Sequence, residues 1–543
     1  MLFTSLKGYG KNQLVKDIVS GLIVAIIALP LSIALALASG VGPEEGIYTA
    51  IIAGFVISAL GGSTVQIAGP TAAFATIVAG IVAKNGMTGL ATATILAGII
   101  LAVMGLCKLG SLIRFIPFTI TTGFTSGIAL TIFLGQIKDF CGITYPDGME
   151  TIETVDKLKA LVAGISTFNT DAFIVGAVCL AVLLIVPKIS SKIPGSLVAV
   201  LVGIAMVKLL PLEVSTIGDL YTISSSLPKL TLPDFSFSSI KIALPDAFTI
   251  AVLAAIESLL SCVVADGMTG TKHRSNAELL GQGAGNIASA LFGGIPATGA
   301  IARTMANINN GGRTPVAGVV HTIVLLCVLL LLGGLVGAIP MPCLAGVLIM
   351  VSYNMSGWRT IRSMCLQSRS DIAILFTTLL LTVIFDLTIA IEIGLVLAVV
   401  LFMRRIMENT SISVLTNELD VHNDGEADDE KITLPDFIEV YEIDGPFFFG
   451  IANKFEEMAR NRSNAKVRII RMRKVSFIDA TGLHNLEIFI DSSLASGRKI
   501  VLSGVNENVF RSLDRSGIVA KLGKKNILDT IHKAVDRAFE VAK

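Results

Sequence analysis

Two side chains that a lipid interior penalises stand inside the most apolar part of this chain. Glu257 lies near the centre of AFTIAVLAAIESLLSCVVADG (residues 247–267), and Arg303 lies in GGIPATGAIART (residues 293–304). A carboxylate at mid-membrane costs at least ~3 kcal/mol, so Glu257 is a candidate functional group. Its chemistry would be that of a protonatable carboxylate or a cation ligand balancing the charge of a substrate. Ser261, four residues on, shares its helical face. The structural alternative is a glutamate hydrogen-bonded to a neighbouring helix.

GGIPATGAIART suggests a second chemistry. It runs through glycine, extended residues and Pro296 to Thr298 and small residues that open a short helix, and GSTVQIAGPTAAFAT (62–76) does the same around Pro70. Proline suits the first turn of a helix, where its missing N–H costs little. The free N–H groups of Thr71, Ala72 and Ala73, and of Thr298, Gly299, Ala300 and Ile301, would then face each other near mid-membrane. Each helix start acts as about half a positive charge, so two converging starts make an anion site without a formally charged ligand. The alternative is a pair of small-residue packing faces, which are common in membranes. Arg303, read as about two turns into the second half-helix, either strengthens the positive field behind the site or sits in a cytoplasm-facing crevice. Gln66 either contacts the anion or caps nearby backbone. Asp386 reads as a span boundary, Glu392 as a packing brace, and His321 as a satisfied interface residue.

The elements that must position these groups are membrane spans. The 543 residues are 53% hydrophobic with mean hydropathy +0.77, and only 15% are charged, against about a quarter in soluble domains. A net charge of +1 gives no reason to expect a nucleic-acid partner. The seven cysteines show no CxxC and no histidine at metal-ligand spacing, so neither a disulfide framework nor a zinc site is expected. No cofactor is implied, and no nucleophile–base or metal constellation suggests an enzyme. The basic N-terminus precedes a long apolar run without a small-residue cleavage site, which reads as a first span rather than a signal peptide.

Splitting the charge-free runs at glycine, proline and polar breaks predicts fourteen elements: 15–39, 46–61, 70–83, 88–107, 118–137, 172–187, 194–211, 245–265, 276–292, 297–309, 314–336, 341–353, 371–385 and 388–405. With the N-terminus inside, the basic turns (Lys108 and Arg114, Lys188 and Lys192, Lys272 and Arg274, Arg313, Arg359 with Arg362 and Arg369, then Arg404 and Arg405) fall on the cytoplasmic side. Both termini are then cytoplasmic. The two proline breaks open the third and tenth elements, seven apart. A unit with seven crossings repeats with inverted topology, and interrupted helices at matching positions point to a transporter's binding site. After Arg405 the character changes. NELDVHNDGEADDEK (417–431) reads as a flexible acidic linker. FIEVYEI, KVRIIRM and KIVLSGV read as strands, and 451–461, 480–495, 507–514 and 526–541 as helices, giving a compact α/β domain of ~110 residues.

PLSIALALASGVGPEEGIYTAIIAG, QIAGPTAAF, IESLLSCVVADGMTGTKHRSNAELLGQGAGNI and GGIPATGAIART resemble the SulP family of anion transporters. VSFIDATGLHNLE resembles the core of a STAS domain (sulfate transporter and anti-sigma-factor antagonist). The resemblance covers nearly the whole chain and is nearest to the bacterial branch that includes C4-dicarboxylic acid transporters. It implies an all-α membrane domain of fourteen transmembrane elements in a seven-plus-seven inverted repeat, with core and gate parts, followed by a cytoplasmic α/β STAS domain. The corresponding division is a membrane domain 1–410 (repeats about 15–211 and 245–405), an acidic linker 411–431 and a STAS domain 432–543. The family further implies elevator-like alternating access, a homodimer in the bacterial cytoplasmic membrane, and an anion between the third and tenth half-helices.

Two departures bear on coupling and substrate. Sodium-coupled bicarbonate members carry Asp where this chain has Glu257, and a hydroxyl residue where it has Ile301; the longer acid and the absent hydroxyl favour a proton over sodium. Many members read Pro-Gln where this chain has Pro30-Leu31, so a polar contact is missing. In STAS proteins of the antagonist type a hydroxyl in an Asp-Ser-Ser/Thr-Gly-like turn is phosphorylated. Here the turn is Asp479-Ala480-Thr481-Gly482, which makes Thr481 the matching hydroxyl, unless it is a plain helix contact. The expectation is proton-coupled symport of an inorganic anion or small dicarboxylate. The alternatives are a sodium-coupled bicarbonate symporter, an uncoupled exchanger or channel, and a membrane scaffold whose STAS domain binds a cytosolic protein. Membrane lipid is the common surrounding of them all.

Overall fold

Hydrocarbon offers the backbone no hydrogen-bonding partners, so apolar runs of this length must satisfy themselves as helices. The structure is a computed structural model that describes residues 9–111, 117–146, 148–149, 154–189, 194–221, 227–366, 368–385, 387–415, 418–420, 431–451 and 465–543. It divides into two compact units, residues 1–398 and 399–543.

Helices of the first unit are α1 (Lys11–Ala38), α2 (Pro43–Leu60), α3 (Ala72–Leu106), α4 (Phe118–Phe140), α5 (Thr170–Ile189), α6 (Gly195–Leu209), α7 (Phe237–Thr269), α8 (Ser275–Leu291), α9 (Ile301–Asn309), α10 (Pro315–Gly337), α11 (Met341–Met355), α12 (Arg369–Ile384) and α13 (Leu387–Asn409), the last running on into the second. Shorter helices lie in the connections. Seven of the described helices are long and apolar enough to cross a membrane. The third and fourth expected elements form one helix, α3, broken at Gly86, where a φ of +66° is left-handed and suits glycine. The tenth starts at Ile301 rather than 297.

Packing sorts these helices into two groups. In one, α3 packs on α7 and α8, α2 on α8 and α10, and α1 on α10; in the other, α4 packs on α11 and α12, and α5 on α6 and α11. Glycines permit the closest approaches. A Cβ on Gly98 would lie 2.7 Å from the Gly283 carbonyl, and one on Gly283 would lie 2.5 Å from the Gly98 carbonyl. Without a hydrophobic force between helices in lipid, such close packing is what holds them together.

The second unit is built on different physics. A five-stranded sheet runs in the order β3 (Ser411–Leu415), β6 (Ile438–Asp444), β7 (Val467–Lys474), β8 (Lys499–Ser503) and β9 (Ile527–Leu528). All its pairings are parallel except β3–β6. Strands covered on both faces read as continuous apolar runs, and β7 is buried over six successive residues. One face packs on α14 (Ala480–Ala495) and α15 (Glu507–Arg515) through Leu486, Phe489 and Leu513. The other packs on α17 (Ile531–Ala542), which follows the short α16 (Ile518–Leu522), through Val535 and Ala538. The expected strands are β6, β7 and β8, and the expected helix at 451–461 lies almost wholly outside the described residues. The stretch expected as linker is partly strand. SISVL (411–415) pairs with β6, because an exposed sheet edge accepts a short alternating segment, and β4 (Glu418–Asp420) pairs with β5 (Lys431–Thr433) in a separate two-stranded sheet.

Arg468 and Glu439 form a 3.2 Å ion pair inside this unit, with side chains 1% and 5% exposed. Removing one partner of a buried pair costs about 3–5 kcal/mol. Glu439→Ala should therefore let trypsin cut the second unit at urea concentrations that leave the wild-type chain intact, and the apolar pair Glu439→Leu with Arg468→Met should restore resistance.

Candidate anion site

Neither broken helix starts at its proline. The chain stays extended through Thr71 (φ −124°, ψ 157°), and α3 opens at Ala72. After Pro296 it remains extended to Ala300, and α9 opens at Ile301. The extended pieces meet: β1 (Ala68–Gly69) pairs antiparallel with β2 (Thr298–Gly299), Ala68 opposite Gly299 and Gly69 opposite Thr298. The Ala300 N–H donates to the Ile67 carbonyl at 2.9 Å. This corrects the expected set of amides. Ala72 and Ala73 do stand in an uncapped first turn, but Ala300 has spent its N–H, and Thr298 and Gly299 are strand residues. The first-turn amides on the second side are those of Ile301, Ala302 and Arg303. The reason is that a ladder requires extended backbone at 298–299 and so delays the helix.

The side chains sort into three clusters. Glu257 accepts the Thr71 hydroxyl at 2.7 Å, beside the start of α3. Ser261 does not join it. Its hydroxyl lies 3.4 Å from that of Thr304, which itself accepts the Ile67 N–H at 3.0 Å. Gln66 donates to Ser258 at 2.9 Å and accepts from the Cys262 thiol. Its amide covers Gly299, where a Cβ would fall 1.6 Å from Nε2. The Thr298 hydroxyl donates to the Ala254 carbonyl at 3.0 Å.

Arg303 is in the first turn of α9, not two turns in, because the helix begins late. It is 1% exposed, so it lines no open crevice. Its Nη2 reaches across to the Pro70 carbonyl at 3.1 Å and to Ser32 at 3.3 Å, beneath the start of the other half-helix. Gly69 lies against Nη1, where a Cβ would fall at 2.4 Å. Nε and Nη1 have no hydrogen-bond partner among the described residues. His321 is fully buried with neither ring nitrogen bonded among the described residues, which corrects the reading of a satisfied interface residue. Glu392 is exposed, with no hydrogen bond or ion pair among the described residues, and Asp386 lies outside them. In the second unit Thr481 is exposed, the second residue of α14, while Asp479 caps that helix by accepting the Gly482 N–H at 2.7 Å.

Glu278 was not anticipated. Fully buried at the start of α8, it accepts Ser258 (3.0 Å) and Gln282 (2.8 Å) on Oε1, and the Gly62 and Ser63 amides (2.8 and 3.2 Å) on Oε2. The sequence signal, an acid four residues before Gln282, looks the same as an ordinary helix-start pair.

Residues 14–378 match the Sulfate permease family. The chain belongs to the sulfate permease family. Residues 431–534 match the STAS domain. YvdB of Bacillus subtilis (strain 168), named as a sulfate transporter, is 38% identical over 96% of this chain and 97% of its own length. The bicarbonate transporter BicA of Picosynechococcus sp. is 31% identical over 96% and 94%. The solved transmembrane domain of a cyanobacterial BicA aligns with a TM-score of 0.63 at 32% identity, covering 72% of this chain and 98% of that one. The overall structure of SLC26A9 covers 99% of this chain and 92% of its own with a TM-score of 0.86; at 19% identity it shows the shared fold. This sulfate permease family chain is thus a multi-pass membrane transporter with a C-terminal STAS domain, and not an enzyme.

Four donors converge on Glu278, which accepts as a carboxylate. Glu278→Gln turns one oxygen into a donor, so at least one buried amide or hydroxyl loses its partner at about 1–3 kcal/mol each. The variant should melt several degrees below wild type in detergent and lose transport together with its stability.

Proposed function

We propose that this sulfate permease family protein is a proton-coupled anion symporter, with the anion held between the starts of α3 and α9. The observation that carries this reading is the β1–β2 ladder, which brings two uncapped helix starts together beside an Arg303 and a Glu257 that are under-coordinated among the described residues. The amides of Ala72 and Ala73 on one side and of Ile301 and Ala302 on the other supply directed donors, and Arg303 supplies net positive charge. Glu257 carries the coupling proton. Protonated, it is neutral and leaves the Arg303 charge to balance the anion during the crossing; deprotonated, it repels the anion and favours release. The pairing of Ser261 with Thr304 supports a proton over sodium, since it leaves Thr71 as the hydroxyl bonded to the Glu257 carboxylate.

The names of the relatives point to sulfate and bicarbonate, and a small dicarboxylate presents the same carboxylate chemistry to backbone amides. The two packing groups support a core of α1–α3 and α7–α10 that moves against a gate of α4–α6 and α11–α13, as a seven-plus-seven inverted repeat would. On this reading the basic turns and both termini face the cytoplasm of a bacterial inner membrane, and the protein works as a homodimer. The exposed Thr481 is a candidate phosphorylation point on the STAS domain.

Glu257→Gln removes the titratable oxygen while keeping an acceptor for Thr71. In proteoliposomes this variant should lose uptake driven by an inward proton gradient by at least ~tenfold, yet retain anion counterflow and a near-wild-type melting temperature. Undiminished proton-driven uptake would rule out the coupling role. Competition among sulfate, bicarbonate and a C4-dicarboxylate at two pH values identifies the substrate.

A further inference from the structure

A space that the proposed transport does not use lies in the second packing group, away from the ladder. A groove of about 430 Å³ runs between α4, α5 and α11. Its walls are Leu130, Phe133, Leu180, Leu184 and Ile349, and Leu130, Phe133 and Leu184 are 41%, 40% and 48% exposed. Its serine hydroxyls are already engaged: Ser126 donates to the Thr122 and Ser356 carbonyls, Ser352 to Ala129, and Ser356 to Tyr353. A mainly aliphatic and aromatic lining whose serines are satisfied offers a polar ligand little, and in a membrane-spanning unit the natural occupant is hydrocarbon.

One end of the groove is basic. Leu184 is one turn before Lys188 on the same face of α5. The lining residues Tyr353 and Ser356 at the end of α11 run directly into Trp358, Arg359 and Arg362. Lys188, Arg359 and Arg362 are all exposed, and none forms an ion pair among the described residues. Trp358, the chain's single tryptophan, is 62% exposed, and Tyr353 is 67% exposed. Exposed aromatic residues next to unpaired cations are the side chains that settle at lipid headgroups.

We propose that this groove is a binding site for an anionic phospholipid, with one acyl chain lying along Leu130, Phe133 and Leu180 and the headgroup phosphate held by Lys188, Arg359 and Arg362. Basic pockets between membrane helices hold such headgroups. Three cations at one headgroup should give about a tenfold preference over a zwitterionic lipid, a difference of about 1.4 kcal/mol.

The test is native mass spectrometry of the full-length protein exchanged into equal amounts of phosphatidylglycerol and phosphatidylcholine. The expected result is phosphatidylglycerol retained at about tenfold over phosphatidylcholine. The triple variant K188Q/R359Q/R362Q changes only exposed side chains and should lose the preference. Leu130→Trp, which fills the groove, should lose both lipids. Equal retention of the two lipids by wild type, or an undiminished preference in the triple variant, would overturn the proposal. So would a Leu130→Trp variant that keeps its lipid but shifts the oligomeric mass, since the groove would then be covered by a second copy of the chain.

Discussion

Everything in the membrane unit depends on how two interrupted backbones are satisfied where no water is at hand. Each unpaired peptide group in hydrocarbon costs several kcal/mol, and each proline break exposes several. The two breaks solve this jointly. β1 and β2 pair with each other, and side chains complete the accounting around them. Asn286 bonds both the N–H and the carbonyl of Ala297 at 2.9 Å. Thr49 accepts the Ile295 N–H at 2.7 Å, and Asn307 holds the Val65 carbonyl at 2.8 Å. Each break thus satisfies part of the other, and among the described residues the first-turn amides of α3 and α9 are what the ladder leaves over.

The buried charges divide along the same line. Glu278 has four donors and no capacity left, so it braces the loop before β1 and can offer a substrate nothing. Among the described residues Glu257 has one side-chain donor, a threonine hydroxyl beside a helix start, and Arg303 keeps two nitrogens without partners. A saturated charge is architecture. An under-coordinated one is free energy held in reserve, released when a ligand or proton arrives. The proposed chemistry follows from that asymmetry and not from the mere presence of acids in the membrane.

The apolar runs, the proline breaks and the lone Glu257 were legible in the sequence because each is a strong local signal. The ladder was not: strands of two residues have no periodicity to detect, so the start of α9 was placed too early. That displaced Arg303 by about a turn and assigned it to its own helix, whereas it crosses to Pro70. Glu257 and Glu278 also show why an acid's role cannot be read from type alone. Glu278 opens α8 like any helix-start acid, and only the approach of Gly62 and Ser63 from a distant loop makes it a clamp. In the second unit SISVL lay beside an acidic tract, and its pairing partner, β6, begins more than twenty residues further on.

On the proposed reading the site is built from backbone amides and one guanidinium, which recognise negative oxygen without asking what carries it, so selectivity must come from the walls. One wall is already set. Gln66 lies over Gly299 and is held there by Ser258 and Cys262, so a ligand cannot reach Gly299 from that side. At the opposite start the side chains are the methyls of Ala72 and Ala73, small enough to let an oxyanion approach the amides closely. Ile301, 39% exposed at the first position of α9, is a bulky apolar residue where a hydroxyl would add a donor. A ligand here gains hydrogen bonds from the backbone alone on that side and meets a steric limit set by the isoleucine. On the proposed reading, size and charge decide what is carried, and hydroxyl recognition plays little part.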